Sequence, residues 1–508
     1  MSSTFHGLET SLRGLRTNQS ALNTTGHNIA NASTPGYSRQ RVNFSQTEPY
    51  PAASRNRPEI PGQMGSGVEA GTVQRVREGF LDMQYRNENT KSGYWSARSD
   101  ALEKMEEVMN EPSDHGLAKT MDRFWQSLQD LAVSPEDSGA RSVVRQRGIA
   151  LAETFNYLST SLNSIKEDFQ TQIDVTTKEV NSIASQINEI NRQIGEIEPH
   201  GYLPNDLYDK RDGLVDRLSE LVNVKVSNVK NGGHSKDIAE GKYTIELLDA
   251  GGNSLGTLVD GKDLKTNELS ITDKNGNGEL DQLKLGEEFT GKLDVLGQGK
   301  LKGMVEARGY EVDGELKGIY PGMLSSLDEM AYRFVEAFNE QHTEGTDLDG
   351  NAGGAFFAFS GTVDEDSFKG AASMMKLDDN ISGKNGLDHI AASKDGNAGD
   401  GSNALELADV KDDILNFGSG DSTFQSFYEG AIGEMAVEAQ QANRLVENSN
   451  TLKQSVEERR QSVSGVSLDE EMTKMMQFQH AYNAAARNIT SIDEMLDRII
   501  NGMGRVGR

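Results

Sequence analysis

The 508-residue chain contains no cysteine, only 10 prolines and only 6% aromatic residues. The absence of cysteine excludes disulfides, thiolate metal sites and cysteine catalysis within this chain. No apolar run reaches the roughly 18 residues that span a bilayer, and the first thirty residues contain no continuous apolar stretch of about seven or more. We therefore expect neither a cleaved signal peptide nor a membrane anchor. The length predicts several domains, since single cores stop growing near about 250 residues.

Basic residues are also in short supply, because 51 Lys and Arg stand against 79 Asp and Glu, a formal net charge of -28. This acidic balance disfavours nucleic acid and anionic membranes as partners. The two ends are nearly neutral: residues 1–40 carry three basic and one acidic side chain, and residues 468–508 carry five and six. We therefore expect the ends to be contact surfaces between copies of the chain, and the acidic interior to keep outer domains soluble.

Both ends carry apolar residues at the alternating three- and four-residue spacing of coiled-coil helices. The N-terminal seam consists of Phe5, Leu8, Leu12, Leu15, Leu22 and Ile29. The C-terminal seam consists of Leu468, Met472, Met475, Tyr482, Ala486, Ile489, Leu496 and Ile500. Ser467 and Glu470 predict a reciprocal capping box before it. Two helices supply little core, so we expect further subunits to cover them; a closed helical hairpin in the monomer is the alternative.

Apolar spacing predicts three helical segments in the interior, namely a rod over 155–197, a helix from Asn205 and a second rod over 424–463. We expect the two rods to pair antiparallel, so that both chain halves build one helical domain. From about 224 to 305, short β-branched runs separated by Asn-Gly and Gly-Gly predict a β-rich insertion. Residues 318–340 predict a further helix.

These patterns predict a multi-domain α+β fold with a terminal α-helical coiled-coil pair, a long-helix bundle domain built from both chain halves and a β-rich outer insertion. The terminal pair defines an expected inner domain of residues 1–60 with 465–508. The remaining domains are expected to be a helical bundle of 61–225 with 420–464, a β-rich outer domain of 226–317, and an outer region of helix with irregular and β structure over 318–419.

No motif in the sequence predicts catalysis, a cofactor or a metal site. The string DKNGNGELDQLK begins at Asp273 like a calcium-binding EF-hand loop, but its twelfth residue is Lys284, whose ammonium repels the ion. We expect a hairpin turn there, in which Asn and Gly supply positive φ. The eight histidines are scattered, and the acidic strings TDLDGNAGGAFF and GDGSNALELA are expected to be turns.

The string ANASTPGYSRQ at residues 30–40 resembles the signature that follows the first helix in flagellar rod, hook and hook-associated proteins. Its motif residues are Asn31, Thr34, Pro35, Gly36 and Tyr37. We expect Pro35 and Gly36 to end the helix, with Gly36 at positive φ. Four further strings are similar to the hook-associated protein 1 family: GSGVEAGTVQRVREGFLDMQYR, LPNDLYDKRDGLVDRLSELVNVKV, HTEGTDLDGNAGGAFF and SGVSLDEEMTKMMQFQHAYNAAARNIT.

The resemblance implies a structural, non-catalytic subunit that joins the flagellar hook to the filament. It implies export by the flagellar type III apparatus to the outside of the cell. The implied partners are copies of the chain, hook protein, hook-associated protein 3 and an export chaperone on the C-terminal helix. Two other functions stay open: another axial protein of the hook, rod or hook-associated protein 3 type, and a secreted stalk presenting a β-rich binding module.

Overall fold

The structure is a computed structural model and describes residues 4–51, 54, 55, 61–111, 113, 114, 116–364, 367–418 and 420–502. The α-helices are α1 (Thr4–Ala30), α2 (Gly79–Met109), α3 (Leu117–Val133), α4 (Ser138–Ile197), α5 (Asn205–Leu221), α6 (Lys300–Arg308), α7 (Ile319–Glu344), α8 (Ala371–Met374), α9 (Asp379–Ser382), α10 (Ser402–Asp409), α11 (Phe424–Ser464) and α12 (Leu468–Gly502). None of the helices in these described ranges is long and apolar enough to cross a membrane.

The strands form small antiparallel sheets. They are β1 (Gln40–Gln46), β2 (Val68–Arg75), β3 (Val224–Val229), β4 (Lys242–Leu248), β5 (Ser254–Asp260), β6 (Lys265–Thr266), β7 (Leu269–Thr272), β8 (Gln282–Leu285), β9 (Phe289–Lys292), β10 (Tyr310–Val312), β11 (Glu315–Lys317), β12 (Phe357–Phe359), β13 (Met375–Leu377), β14 (Leu415–Phe417) and β15 (Gly420–Ser422). Long helices with these sheets confirm the predicted multi-domain α+β class.

Helix α4 is the longest element, with sixty residues and a length of about 90 Å at 1.5 Å per residue. Asp137 caps its start by accepting the backbone N–H of Gly139. The predicted start at residue 155 was wrong. The first four turns bury Arg141 and Gly148 as well as Val144 and Leu151. Because Arg141 and Gly148 are not apolar, they interrupt the apolar spacing from which the helix was predicted.

Helix α11 packs antiparallel along α2, which places the C-terminal half of the chain on the N-terminal half. Ser92 donates a hydrogen bond to Asn450 at 2.7 Å, and Arg98 donates one to Glu438 at 3.3 Å. The predicted pairing of α11 with the rod in α4 was therefore wrong, since α4 packs on α3, α5, α6 and α7. Helix α2 was not predicted from the sequence, because its buried face mixes polar and small residues with apolar ones.

The predicted β-rich insertion is confirmed as two meandering sheets, β3-β4-β5-β6 and β7-β8-β9, that pack on the C-terminal half of α4. The Asp273 loop joins β7 to β8 as a hairpin turn. The carboxylate of Asp273 accepts the N–H groups of Gly276 at 2.6 Å and Gly278 at 2.7 Å. Only these two glycines of the turn take positive φ, at 70° and 85°, so the expectation that asparagines also do so was wrong.

The hydrophobic core lies between the long helices and has an aromatic centre. Its fully buried rings, whose neighbouring centroids lie 4.9 to 6.2 Å apart, are Phe124, Phe334, Phe338, Phe356 and Phe357. Among the described residues, the core cluster begins at Ala97 and ends at Ala442. The elements α1, β1, β2 and α12 therefore lie outside it, and they are called the terminal module below. The rest, α2 to α11, is called the body.

Candidate assembly surface

The terminal module is a helix pair laid on a hairpin. Helices α1 and α12 run antiparallel, since a Cβ at Gly7 would lie 3.2 Å from Ile492 while Asn28 at the other end bonds Glu471. Strand β1 pairs with β2 from Gln40 opposite Arg75 onward, and α1 also packs on this hairpin. The expected domain boundary at residue 60 thus falls between two strands that pair with each other.

The inner face of α12 differs from the predicted seam. It consists of half-buried residues at heptad spacing, namely Met475, Phe478, Tyr482, Ala485, Ile489, Ile492 and Leu496. The seam residues Leu468, Met472 and Ile500 are instead 50%, 57% and 69% exposed, so the prediction that they share one seam with Met475 was wrong. Ala486 is half-buried beside the inner face.

The predicted seam consists of two series of residues seven apart. The series with Met475, Tyr482 and Ile489 was correct, and the other series was placed one residue too far toward the C-terminus. Gln479 and Asp493 interrupt the displaced series, and the apolar Phe478 and Ile492 stand one position before them. These two polar interruptions were the signal that could have corrected the assignment. Phe478 also meets Phe44 of β1 edge to face, with ring centroids 5.9 Å apart.

The buried face of α1 is made of small and polar residues. Thr17, Ala21, Thr25 and Asn28 are at most 4% exposed, and Thr17 donates to the Val68 carbonyl of β2 at 3.1 Å. The predicted apolar seam is only partly covered: half-buried residues are Leu8, Leu15, Leu22 and Ile29, and exposed ones are Phe5 and Leu12. The buried face of α1 was not predicted from the sequence, because small polar residues carry no apolar signal.

Large apolar side chains remain exposed on and next to the terminal module. Those between 37% and 69% exposed are Phe5, Leu12, Phe44, Tyr50, Phe80, Met83, Leu468, Met472, Met476, Met495, Ile499 and Ile500. Met472 and Met476 lie one helical turn apart on α12, as do Met495 and Ile499, and adjacent exposed apolar side chains of this kind suit a surface that another macromolecule covers. The predicted seam residues thus divide into a set that joins α1 to α12 and a set that points outward.

Asn28 is the polar centre of the terminal module and is 1% exposed. Its amide donates to the Gln40 carbonyl and to the Glu471 carboxylate, each at 2.8 Å. Its oxygen accepts the Tyr37 hydroxyl at 2.8 Å and the Gln40 N–H at 2.9 Å. Burial raises the pKa of Tyr37 well above its usual value, so the phenol stays a donor. One side chain therefore links α1, the motif loop, β1 and α12.

The motif loop ends α1 in the predicted way. The helix stops at Ala30, the backbone N–H of Thr34 donates to the Asn31 carbonyl at 2.9 Å, and Gly36 takes a φ of 77°. Residues 33–36, which include Pro35, are exposed. They border a groove of about 560 Å³ whose opposite wall is the α11–α12 connection. The loop thus redirects the chain while its tip stays at the surface.

The predicted capping box before α12 is only half formed. Ser467 Oγ accepts the Glu470 N–H at 3.4 Å. The Glu470 carboxylate pairs with Arg39 at 2.7 Å and Lys474 at 2.8 Å, and no bond back to the Ser467 N–H is present among the described residues. The reciprocal half of the prediction was therefore wrong, because Arg39, the residue before β1, competes for the Glu470 carboxylate.

A group of three possible metal ligands lies elsewhere, in the body. Donor atoms of Asp347, Asp349 and His389 lie within 4.8 Å of one another, the one such group in the part of the chain that the structure describes. Asp347 also accepts the N–H of Asn351 at 2.8 Å, which is the turn expected for this string. The group was not predicted from the sequence, because His389 lies far along the chain from the two aspartates.

Known families match three parts of the chain. The family described as "Flagellar hook-associated protein FlgK helical domain" matches residues 102–357. The family "Flagella basal body rod protein" matches residues 8–37, and "Flagellar basal body rod FlgEFG protein C-terminal" matches residues 459–502. The last two matches fall on α1 with its motif and on the end of α11 with α12, the helices of the terminal module.

Individual relatives agree with these matches. Flagellar hook-associated protein 1 of Bacillus subtilis is 46% identical over 509 residues, covering 100% of both chains. That of Escherichia coli is 24% identical over 570 residues, covering 97% of this chain and 99% of its own. The solved structure of the flagellar hook junction protein FlgK from Burkholderia pseudomallei is similar in fold, with a TM-score of 0.59, 15% identity and coverage of 76% of this chain and 100% of that one. The chain belongs to the flagellar hook-associated protein 1 family.

Proposed function

We propose that this chain is a structural subunit that joins the flagellar hook to the filament, and that it catalyses no reaction. The observation that carries the proposal is the outward apolar face of α1 and α12, outside the core of the body. A monomer that leaves Phe5, Met472 and Ile500 more than half exposed has a surface suited to burial by other subunits. The partners are further copies of the chain, hook protein and hook-associated protein 3.

Charge and packing indicate where each part of the molecule lies in the assembly. The nearly neutral terminal module forms the inner contact layer, the helical body surrounds it, and the acidic β-rich insertion over 226–317 lies outermost. A repeating contact between one subunit's exposed face and a different face of the next generates a ring or a helical lattice. The outward residues Leu468 and Met472 are therefore assembly contacts, whereas Met475 and Tyr482 hold the pair of helices together.

We further propose that the chain leaves the cell through the flagellar type III export apparatus and works outside the cell. A cytoplasmic chaperone covers α12 before export, because its exposed apolar residues would otherwise self-associate. Mixing the chaperone with a chain that lacks residues 464–508 tests this step. Loss of binding supports it, and undiminished binding contradicts it.

The assembly role is tested in cells. A strain that produces a chain without α1 and α12, with the body intact by circular dichroism, should build hooks but shed filament protein into the medium. Electron microscopy of the hooks and immunoblotting of the medium measure both results. A shortened chain that still caps hooks and carries filaments would contradict the proposal.

A further inference from the structure

The contact between the terminal module and the body is polar. The described hydrophobic core takes no residue from α1, β1, β2 or α12. Instead, the Ser38 N–H donates to Asp209 at 3.1 Å, the Arg39 N–H donates to the Ser464 carbonyl at 2.8 Å, and Lys236 donates to the Gly71 carbonyl at 2.7 Å. Hydrogen bonds and ion pairs are directional, whereas apolar contact is not. The module's orientation thus depends on polar geometry.

A cluster of opposite charges lies at the centre of this contact. It joins β2 and the turn after it to α2, α5, α11 and the segment before β4. Its members, called the ionic cluster, are Arg75, Arg77, Arg86, Arg211, Arg460, Asp82, Asp209, Asp212, Asp216 and Glu240. Glu457 lies at the edge of the cluster, pairs with Arg460 at 2.9 Å and adds a sixth anion to these five cations and five anions, so the cluster is close to neutral although the chain is strongly acidic.

Asp212 of α5 is the hub of the ionic cluster and is 2% exposed. Three guanidinium groups reach its carboxylate, those of Arg75 at 2.9 Å, Arg77 at 3.0 Å and Arg86 at 3.3 Å, and the Tyr243 hydroxyl donates to it at 3.0 Å. Burial opposes its ionisation, but Arg77 and Arg75 outweigh burial and hold the pKa of Asp212 well below its usual range. The hub is therefore a carboxylate that stays charged.

Arg75 carries the connection from the module into the body. Its side chain is 3% exposed, lies at the end of β2, and holds Asp209 at 2.6 Å together with Asp212 and Glu240. The rigid, planar fork of an arginine fixes the direction of each carboxylate it binds, whereas a lysine ammonium is a point charge on a flexible stem. Arg460 of α11 extends the ionic cluster within the body, at 2.5 Å from Asp216 of α5 and 3.6 Å from Asp82 of α2.

Buried ion pairs add little net stability compared with apolar packing, and their best-supported use is to select one arrangement among several. We propose that the ionic cluster is the joint that sets the angle between the terminal module and the body. The joint selects one orientation of the β1–β2 hairpin in the free monomer. This inference concerns the isolated chain and stands independently of the assembly role.

The chain contains no cysteine, so two introduced cysteines label it at chosen positions only. Spin labels at Ala70→Cys on β2 and Ser185→Cys on α4, both exposed positions, report the distance between module and body by pulsed electron paramagnetic resonance. We expect a single narrow distance distribution in the otherwise natural chain. Asp212→Asn should widen it at least twofold. Glu189→Gln, which breaks an exposed pair with Arg192 on α4, is the matched control and should leave it unchanged.

Arg75→Lys is the second variant, because it keeps the charge and loses the fork. Both tryptophans, Trp95 on α2 and Trp125 on α3, lie in the body, so their fluorescence reports the body alone. We expect both variants to keep the natural tryptophan emission while the distance distribution widens.

Three results would overturn the proposal. The first is a distribution that is already broad in the natural chain. The second is an unchanged distribution in both variants. The third is a change in tryptophan emission that accompanies the wider distance distribution in both variants. That result would mean that the ionic cluster belongs to the cooperative core of the body.

Discussion

Replacing the outward methionines of α12 should weaken assembly without weakening the monomer. Met472 and Met476 are 57% and 54% exposed, so the double change Met472→Ser and Met476→Ser removes little packing from the free chain. Fully burying a methionine is worth about 1.5–3 kcal/mol, and an assembly that covers the exposed half gains about half of that per residue. The pair therefore contributes about 1.5–3 kcal/mol, or roughly 12- to 150-fold in affinity for the next subunit.

Co-sedimentation of the purified chain with isolated hooks measures this affinity, and swarming measures its consequence in cells. Gln477→Ser, an exposed change on the same helix, is the control and should bind like the natural chain. Thermal unfolding of both variants should match the natural chain. A double variant that binds hooks with unchanged affinity would refute the assignment of this face to assembly. A double variant that unfolds at a lower temperature would refute the claim that the two methionines contribute little packing to the monomer.

Three further predictions concern stability. Asn28→Ala removes four buried hydrogen bonds and should lower the free energy of opening the α1–α12 pair by about 3 kcal/mol. Amide hydrogen exchange measures this free energy, and the exposed change Asn23→Ala should have little effect on it. Burial lowers the pKa of His342 to about 4. In the unfolded chain this histidine binds a proton below about pH 6.5, so the free energy of unfolding should be highest above that pH and fall by about 3 kcal/mol toward pH 4, as measured by urea unfolding. His342→Gln should reduce this dependence on pH. An unchanged dependence in that variant would contradict the assignment. Gly93→Ala should lower the unfolding temperature, because its Cβ would lie 2.2 Å from an α5 carbonyl oxygen, while Gly213→Ala, with no atom within 4 Å, should not.

Much of the local structure could be predicted from the amino-acid sequence. Helix α5 begins at Asn205 as predicted, α11 spans Phe424–Ser464 against a predicted 424–463, and Gly36 takes the expected positive φ. These features depend on residues close together in sequence, namely apolar periodicity, proline and glycine. The same locality let the Asp273 string be assigned to a turn from the lysine at its twelfth position.

Predictions that needed a partner helix failed or were incomplete. The rods of α4 and α11 have similar periodicity, yet α11 lies on α2, because similarity of spacing does not state which faces are complementary. Phe478 and Ile492 were missed for the same reason, since both flanks of α12 are apolar and only the position of α1 decides which one is buried. The buried Thr17 and Thr25 of α1 had no apolar signal at all.

The sequence alone determined the helical ends, the β-rich insertion, the motif after α1 and the resemblance to flagellar axial proteins, because each is a property of a continuous stretch of residues. The tertiary structure alone decided which apolar residues of α12 point outward, that Asn28 links four elements, and that three arginines from distant segments meet at Asp212. The reason is physical. Hydrogen bonds and ion pairs act over a few ångströms in space, and only folding brings β2, α2, α5 and α11 within that distance.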